Sequence, residues 1–203
     1  MAKTMIAAKT EMTDGQIENA VGKLRDAMRK HRSDITSGIA QQVLGVENLG
    51  MMMFTPFRER AEAVSNLIVR TAKVNRNRTK QGALDVTGRV QYTDKDVVAK
   101  MPQGEGDKVE VVFFKLGRFV NNNDLEKEFD LRGFKPVDPI SLAAVNEADQ
   151  AFADDHPNGT YWKDSSGDWC YIAFDCWHDE RRVRVFRDVD SWNAFWWFAG
   201  LRK

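Results

Sequence analysis

The chain has 203 residues, of which 42% are hydrophobic and 30% charged, and its 30 basic and 30 acidic side chains give a formal net charge of +0. This composition is typical of a folded globular protein with one large domain or two small ones. It excludes a general attraction to nucleic acid or to anionic membranes, so any basic binding site must be local.

The amino terminus carries no targeting pattern, because "MAKTMIAAKTEMTDG" is too short and too interrupted for the apolar part of a signal peptide. No apolar run approaches the length of a membrane span. We therefore expect a cytoplasmic protein with no membrane insertion, and display on a cell surface or a virion by another route stays open. Cys170 and Cys176 are about 20 Å apart on an extended strand, too far for a disulfide.

The first third of the chain is predicted to be helical. A helix over residues 15–31, capped by Thr13 or Asp14, is indicated by apolar side chains at i, i+4, i+7 and i+11. These side chains are Ile17, Val21, Leu24 and Met28. A second, short helix is predicted in residues 34–45 and ends near Gly45.

A third helix is predicted in "MMMFTPFRERAEAVSNLIVRTAKV", residues 51–74. Thr55 is suited to cap it, and Pro56 is suited to its first helical position. Leu67 and Ile68 are expected on its apolar face.

Residues 73–80 are basic, with four cations and no acidic residue: Lys73, Arg76, Arg78 and Lys80. Such a patch can contact phosphates, although lysine and arginine also complement the carboxyl end of a helix. A short helix capped by Thr93 is predicted next. "QGEGDK", residues 103–108, is the best candidate for a linker. We therefore predict a helical N-terminal region over residues 1–105 and a second domain over residues 106–203.

After Lys108 the pattern changes. "VEVVFFK" predicts a buried strand, and two capped helices follow, one ending at Gly133 and one with Asp138 as its cap. After the turn "HPNGT", the strands "TYWK", "WCYIAFDCW" and "RRVRVFR" are joined by the turns "DSSGD" and "HDE". The predicted fold class is therefore α+β, with helices followed by an antiparallel β-meander.

No P-loop, dinucleotide-binding fingerprint or paired-histidine metal motif occurs in the sequence, so we expect no metal and no cofactor. His178 lies close to Cys176 and Asp179, which is only a weak indication of nucleophilic catalysis. All six tryptophans fall within residues 162–203, where they suit both the packing of a small meander and contact with a partner.

The strand "RRVRVFR" has two unlike faces. Val183 and Val185 share one parity and are expected in the core, whereas Arg182, Arg184 and Phe186 share the other. Two cations and a large ring, with no pairing carboxylate on the same face, predict a binding surface, because arginine and aromatic residues are enriched at interfaces. Replacing these three residues by alanine is expected to leave stability nearly unchanged.

The pattern ER-x-V-x-V-x-R-x-x-x-x-W-x-x-x-WWFAG-x-RK, in residues 180–203, resembles the variable region of proteins that are diversified by retroelements. In that family an error-prone reverse transcriptase rewrites adenines in codons of a C-terminal C-type lectin-like domain. The resemblance implies that residues 106–203 form a C-type lectin-like ligand-binding domain, with a variable region over about residues 169–203.

The resemblance also divides the residues of this region into two sets. The fixed residues that hold the scaffold would be Val183, Val185, Arg187, Trp192, Trp196, Trp197, Phe198, Ala199, Gly200 and Arg202. The rewritten residues that face the ligand would be Asp175, Cys176, His178, Arg182, Arg184, Phe186, Asp188, Val189, Asp190, Ser191, Asn193, Ala194, Phe195 and Leu201. Changes at both adenines of an AAC codon can produce every residue type in the second set, but never Trp or Lys.

The family implies binding rather than catalysis, so we expect a ligand-binding protein that is not an enzyme, with a variable protein or cell-surface ligand as its partner. Two alternatives stay open. One is a phage or mobile-element regulatory protein that binds nucleic acid through residues 73–80. The other is an enzyme related to formylglycine-generating enzymes that uses Cys170 and Cys176.

Overall fold

The computed structural model describes residues 11–65, 67–187 and 191–203. Contacts divide the chain into two units, the first ending at Thr55 and the second beginning at Pro56. Three helices come first along the chain: α1 (Asp14–Lys30), α2 (Ser37–Leu44) and α3 (Leu49–Ser65). Within the described ranges, no helix is long and apolar enough to cross a membrane.

The helix α1 begins where the sequence predicts. Thr13 Oγ1 accepts a hydrogen bond from the backbone N–H of Gln16, and Gln16 Oε1 accepts one from the backbone N–H of Thr13. This reciprocal capping box satisfies two backbone donors that the first helical turn leaves without partners. No residue of α1 or α2 is buried.

The second unit combines short helices with strands. Its helices are α4 (Lys80–Asp85), α5 (Lys95–Ala99), α6 (Asn122–Arg132), α7 (Pro139–Ala148) and α8 (Phe152–Asp155). Its strands are β1 (Leu67–Lys73), β2 (Val90–Thr93), β3 (Lys108–Lys115), β4 (Val120–Asn121), β5 (Phe134–Pro136), β6 (Asn158–Lys163), β7 (Trp169–Trp177), β8 (Glu180–Arg187), β9 (Ser191–Trp192) and β10 (Trp197–Arg202).

The main sheet has the strand order β1-β3-β10-β6-β7-β8-β2, with β5 added on β10, and β4 and β9 form a separate pair. The pairs β10–β6 and β2–β8 are parallel, and the other pairs are antiparallel. The protein is therefore a mixed α/β fold with a mostly antiparallel sheet.

The two faces of the sheet are covered differently. One face packs against α4, α5, α7 and α8 in a core that includes Leu84, Leu142 and Val183. The other face packs against α6 and the β4–β9 pair through residues such as Phe129 and Trp192. None of the described residues of this second core lies on β8, where Arg182, Arg184 and Phe186 are partly exposed.

The helix predicted over residues 51–74 is wrong in its second half. The β-branched segment "LIVRTAK" forms β1 and pairs with β3 along its whole length, so Leu67 and Ile68 lie in a strand. Thr55 and Pro56 do not start the helix. α3 begins at Leu49, Pro56 lies inside it, and Thr55 Oγ1 donates to the backbone carbonyl of Met51 at 2.9 Å.

The predicted boundary near residue 105 falls inside the second unit. β1 and β2 belong to the same sheet as the later strands, so residues 1–105 are not all helical. The glycine-rich segment "QGEGDK" is held by Arg76, whose guanidinium donates to the carbonyls of Gln103, Glu105 and Gly106. A segment that binds the core in this way is not a linker.

Two smaller predictions are also corrected. Thr93 lies in β2, and Asp94 caps α5 by accepting hydrogen bonds from the backbone N–H groups of Asp96 and Val97. The predicted turn "HPNGT" already contains the first residues of β6. The predicted caps Asp138 of α7 and Gly133, which ends α6 with φ 72°, are both confirmed.

Candidate functional site

The site is built on the β7–β8 hairpin. Its turn consists of His178 and Asp179, whose φ values of 49° and 63° match the left-handed conformation that two-residue hairpin turns require. This turn pairs Trp177 with Glu180, and the register then places Asp175 opposite Arg182. The hairpin turn thus sets which side chains meet across the two strands.

Asp175 shares a face of the sheet with the two arginines of β8. Arg182 Nε and Nη2 donate to the two carboxylate oxygens of Asp175 at 2.9 and 3.0 Å, and Arg184 Nη2 donates to Oδ2 at 2.6 Å. The expectation of no pairing carboxylate on this face is therefore wrong. The sequence of β8 alone does not reveal this partner, because Asp175 lies on the neighbouring strand β7.

The Asp175 carboxylate is almost enclosed, with 9% of its side chain exposed, while Arg182 and Arg184 keep 19% and 30%. The hydrogen bond to Asp175 raises the pKa of the Arg182 guanidinium above its ordinary value. One carboxylate thus holds two cations at the surface, and the group carries a net charge of +1.

Two indole rings flank this charged group. The guanidinium carbon of Arg182 lies 5.6 Å from the ring centroid of Trp177, and that of Arg184 lies 5.4 Å from Trp196. Cation–π contacts of this kind stabilise each arginine by about 0.5–1 kcal/mol when exposed. They also place each guanidinium beside an aromatic ring.

The second wall of the site is the loop from Asn193 to Trp196. The backbone N–H of Trp196 donates to the Asn193 carbonyl at 3.2 Å, and the backbone N–H of Trp197 donates to the Pro157 carbonyl at 2.8 Å. The ring of Trp196 is buried, whereas Phe195 is 49% exposed. The loop therefore presents Phe195 from a turn that is closed by its own hydrogen bond and tied to Pro157 at its carboxyl end.

The β7–β8 hairpin and this loop form the walls of an open cleft of about 540 Å³. We call it the arginine cleft. It is lined by Pro157, Asp175, Cys176, Trp177, Arg182, Arg184, Asn193, Phe195 and Trp196. Its walls combine two cations, one anion, one amide and three aromatic rings, which suits a ligand with both a polar and an apolar part.

The structure brings together six of the residues that the resemblance assigns to the ligand face: Asp175, Cys176, Arg182, Arg184, Asn193 and Phe195. Among them, Cys176 pairs with Arg181 and has the parity of the opposite sheet face. The other assigned residues lie elsewhere.

Phe186 is on the same face as Arg184, but its ring lies beside Tyr171, with the centroids 6.4 Å apart. His178 is exposed in the turn, Ala194 is exposed in the loop, and Ser191 pairs with Asn121 in β9. Asp188, Val189 and Asp190 lie outside the described residues.

Leu201 does not belong to this surface. It lies in β10, pairs with Lys135 and packs against the first core.

The residues assigned to the scaffold are mostly buried. Val183 and Val185 are fully buried, as their parity predicts, and Trp192, Phe198 and Ala199 are buried as well. Arg187 Nε donates to Asp164 Oδ2 at 3.1 Å and so ties β8 to the β6–β7 turn.

Three wall residues were not predicted for the site: Pro157, Trp177 and Trp196. Trp177 lies two positions from Asp175, so the strand period alone could have placed both on one face. Pro157 and Trp196 depend on the pairing of β10 with β6, for which the sequence carries no local signal.

The opposite face of the hairpin is built differently. Arg181 donates to both carboxylate oxygens of Asp154, which ties β8 to α8. The buried Arg89 donates to the backbone carbonyl of Asp175 at 3.0 Å, and desolvation lowers the pKa of its guanidinium. These contacts anchor the hairpin from behind.

The basic stretch 73–80 is largely engaged within the protein. Arg76 donates to Asp138 Oδ1 at 2.7 Å, Arg78 donates to Glu147 at 2.6 Å, and Lys80 donates to the Ala99 carbonyl at 2.7 Å. The neighbouring cleft of about 990 Å³ is lined by Asp107 and Glu147 as well as by the cations. Its chemistry is therefore mixed rather than basic.

The two cysteines are not arranged around a common site. Cys170 is 1% exposed within the first core, and Cys176 lies six positions further along the same strand. Among the described residues, no group of three or more His, Cys, Asp or Glu side chains is placed to hold a metal ion.

Comparison of the chain with protein-family models, with curated proteins and with solved structures finds no match.

Proposed function

We propose that this protein binds a ligand through the arginine cleft. In this proposal the second unit acts as a C-type lectin-like domain, and a retroelement diversifies Arg182, Arg184, Asn193 and Phe195, which line the cleft. The observation that carries the proposal is the meeting of Arg182, Arg184, Asn193 and Phe195 around one cleft. Residues from two separate segments converge there, while the neighbouring Val183 and Val185 are buried.

The chemistry of the cleft favours a ligand with an acidic group beside an apolar one. Arg182 and Arg184 share the single carboxylate of Asp175, so one positive charge is not balanced inside the group. Trp177 and Phe195 offer exposed rings on either side. A protein surface that carries Asp or Glu next to an apolar side chain fits this pattern, because arginine binds carboxylates in a two-pronged geometry.

The physical basis for diversification is a separation of scaffold from surface. Surface substitutions usually change stability by less than about 0.5 kcal/mol, whereas truncations in a core cost about 2–5 kcal/mol. Exposed positions such as 193–195 can therefore vary without unfolding the domain. Asp175, Arg182 and Arg184 are the exception, because the nearly buried carboxylate requires the three residues to vary together.

Diversification is tested by sequencing the coding locus and its neighbourhood. We expect a near-copy of the last coding segment beside a reverse transcriptase gene, with differences confined to adenines. Variation should affect the codons of Arg182, Arg184 and Phe195 and spare those of Val183 and Trp196. Equal variation in both groups, or the lack of a near-copy, would refute the retroelement part of the proposal.

Binding is tested by selecting a displayed peptide library on the immobilised full chain. Enriched peptides should carry an acidic residue next to an apolar one and should lose affinity for the triple variant D175A/R182A/R184A at least about tenfold. Arg181→Ala is the matched control, because it removes an arginine from the opposite face of the same strand. Peptides that bind the triple variant as well as the wild type would refute the assignment of the cleft.

The alternatives are less well supported by the contacts. Arg76 and Arg78, which a nucleic-acid site would need, are held by Asp138 and Glu147. A catalytic role for Cys170 would require exposure of a thiol that lies in the core. Neither alternative has a specific observation in its favour.

A further inference from the structure

The apolar stripe of α1 has the spacing of a coiled-coil seam. Its members are separated by four, three and four positions: Ile17, Val21, Leu24 and Met28. This 3.5-residue period is typical of positions a and d in two helices that wind around each other. The four side chains are between 42% and 54% exposed, so the described residues of the first unit leave the seam exposed.

The two flanks of the seam differ in character. With Val21 and Met28 at position a, one flank carries Glu18 and Arg25 at position e, and the other carries Ala20 and Ala27 at position g. One flank therefore offers opposite charges seven residues apart. The other offers small side chains that allow close approach of a second helix.

We propose that α1 pairs in antiparallel orientation with α1 of a second copy of this chain. In antiparallel coiled coils, position a of one helix faces position d of the other, so Val21 packs on Leu24 and Ile17 on Met28. The same alignment brings Glu18 of each copy beside Arg25 of the other. Ala20 of each copy meets Ala27 of the other on the second flank.

Charge complementarity selects this orientation over the parallel one. A parallel pair in register would set position e of one helix against position g of the other, which places Glu18 and Arg25 beside Thr13, Ala20 or Ala27. It would form no ion pair between the helices. The antiparallel pair forms two related by a two-fold axis, as a self-complementary interface requires.

The interface is small, so its affinity is moderate. α1 has 17 residues and is therefore about 25 Å long, and the seam spans about two heptads. Such an interface must offset the loss of translational and rotational freedom with few buried side chains. We expect a dissociation constant on the order of micromolar.

The test is sedimentation equilibrium of the full chain from about 0.5 to about 200 µM, a range centred on the expected constant. The wild type should convert from monomer to dimer across this range. Glu18→Arg and Arg25→Glu should each raise the dissociation constant about tenfold, because two attractive pairs become repulsive. The double variant E18R/R25E should restore it.

Asp26→Arg is the matched control, since it makes the same charge change at position f, opposite the seam, and should leave the constant unchanged. Circular dichroism of each variant checks that α1 keeps its helix content. A monomer at every concentration, a trimer, or single variants that dimerise like the wild type would overturn the proposal. So would a double variant that stays as weak as the single ones.

The orientation has a separate test by disulfide trapping in a Cys176→Ser background. Ala20→Cys and Ala27→Cys should each give little cross-linked dimer alone and a covalent dimer when the two variants are mixed. Equal cross-linking of either variant with itself would overturn the antiparallel arrangement.

Discussion

The double substitution R182A/R184A is expected to destabilise the second unit, contrary to what the β8 sequence alone predicts. Both arginines point to a surface cleft, and surface substitutions are usually tolerated. Here, however, they are the two cations that neutralise Asp175, whose side chain is only 9% exposed. Their removal leaves a nearly buried carboxylate without a cation.

The magnitude follows from the burial of the three side chains. Removing one partner of a buried ion pair costs about 3–5 kcal/mol. The Arg182 and Arg184 side chains keep 19% and 30% of their exposure, so water can enter after truncation and solvate part of the carboxylate. We therefore expect a loss of about 2–3 kcal/mol in the free energy of unfolding.

The assay is urea unfolding followed by tryptophan emission. All six tryptophans lie in residues 162–197, so the signal reports on the second unit and not on the first. With a slope of about 2 kcal/mol per molar urea, the expected loss moves the midpoint down by about 1–1.5 M.

The triple variant D175A/R182A/R184A provides the decisive comparison. Removing the stranded carboxylate should recover most of the lost stability, because replacing all members of a buried ion group is often nearly neutral. If the double variant is as stable as the wild type, or the triple variant is no more stable than the double one, the role assigned to Asp175 is wrong.

Three further substitutions test the scaffold of the second unit. Gly200→Ala should cost about 1–3 kcal/mol in urea unfolding, because its Cβ would lie 3.1 Å from the Lys135 carbonyl oxygen, Phe129 Cε1 and Phe134 Cβ; unchanged stability would show that these groups can move. Val183→Asp should prevent folding of the second unit, since it places a carboxylate in the core, and a native tryptophan spectrum would contradict the parity of β8. Arg76→Ala should speed cleavage after Glu105 by a glutamate-specific protease about tenfold by freeing that segment, and an unchanged rate would show that other contacts hold it.

Local patterns predicted the elements whose determinants lie close together in sequence. The cap Asp138 and Pro139 at the start of α7 mark that helix without reference to the rest of the chain. β1 and β2 were missed because each depends on a distant partner. β1 pairs with β3 about 40 positions later, and β2 pairs with β8 about 90 positions later. No periodicity within four to seven residues encodes such contacts.

The same distinction applies to the arginine cleft. Alternation along β8 separated Val183 from its neighbours Arg182 and Arg184, because the period of a strand is a local property. The partner Asp175 could have been found from the hairpin register, but only if the turn has two residues rather than the three of "HDE". The approach of Phe195 required the parallel pairing of β10 with β6, which is set by the whole sheet.

The short strand β2 has a consequence for the solubility of the protein. It pairs with residues 182–185 of β8, so β8 is an inner strand, and the outer strand of the sheet at this end is "VQYT". An outer strand exposes unpaired backbone groups that can recruit other chains, and its side chains decide how readily this happens. Substitutions in β8 therefore leave the sequence of the outer strand β2 unchanged. Under the proposed diversification, substitutions that change the binding specificity leave the outer strand and its tendency to recruit other chains unchanged.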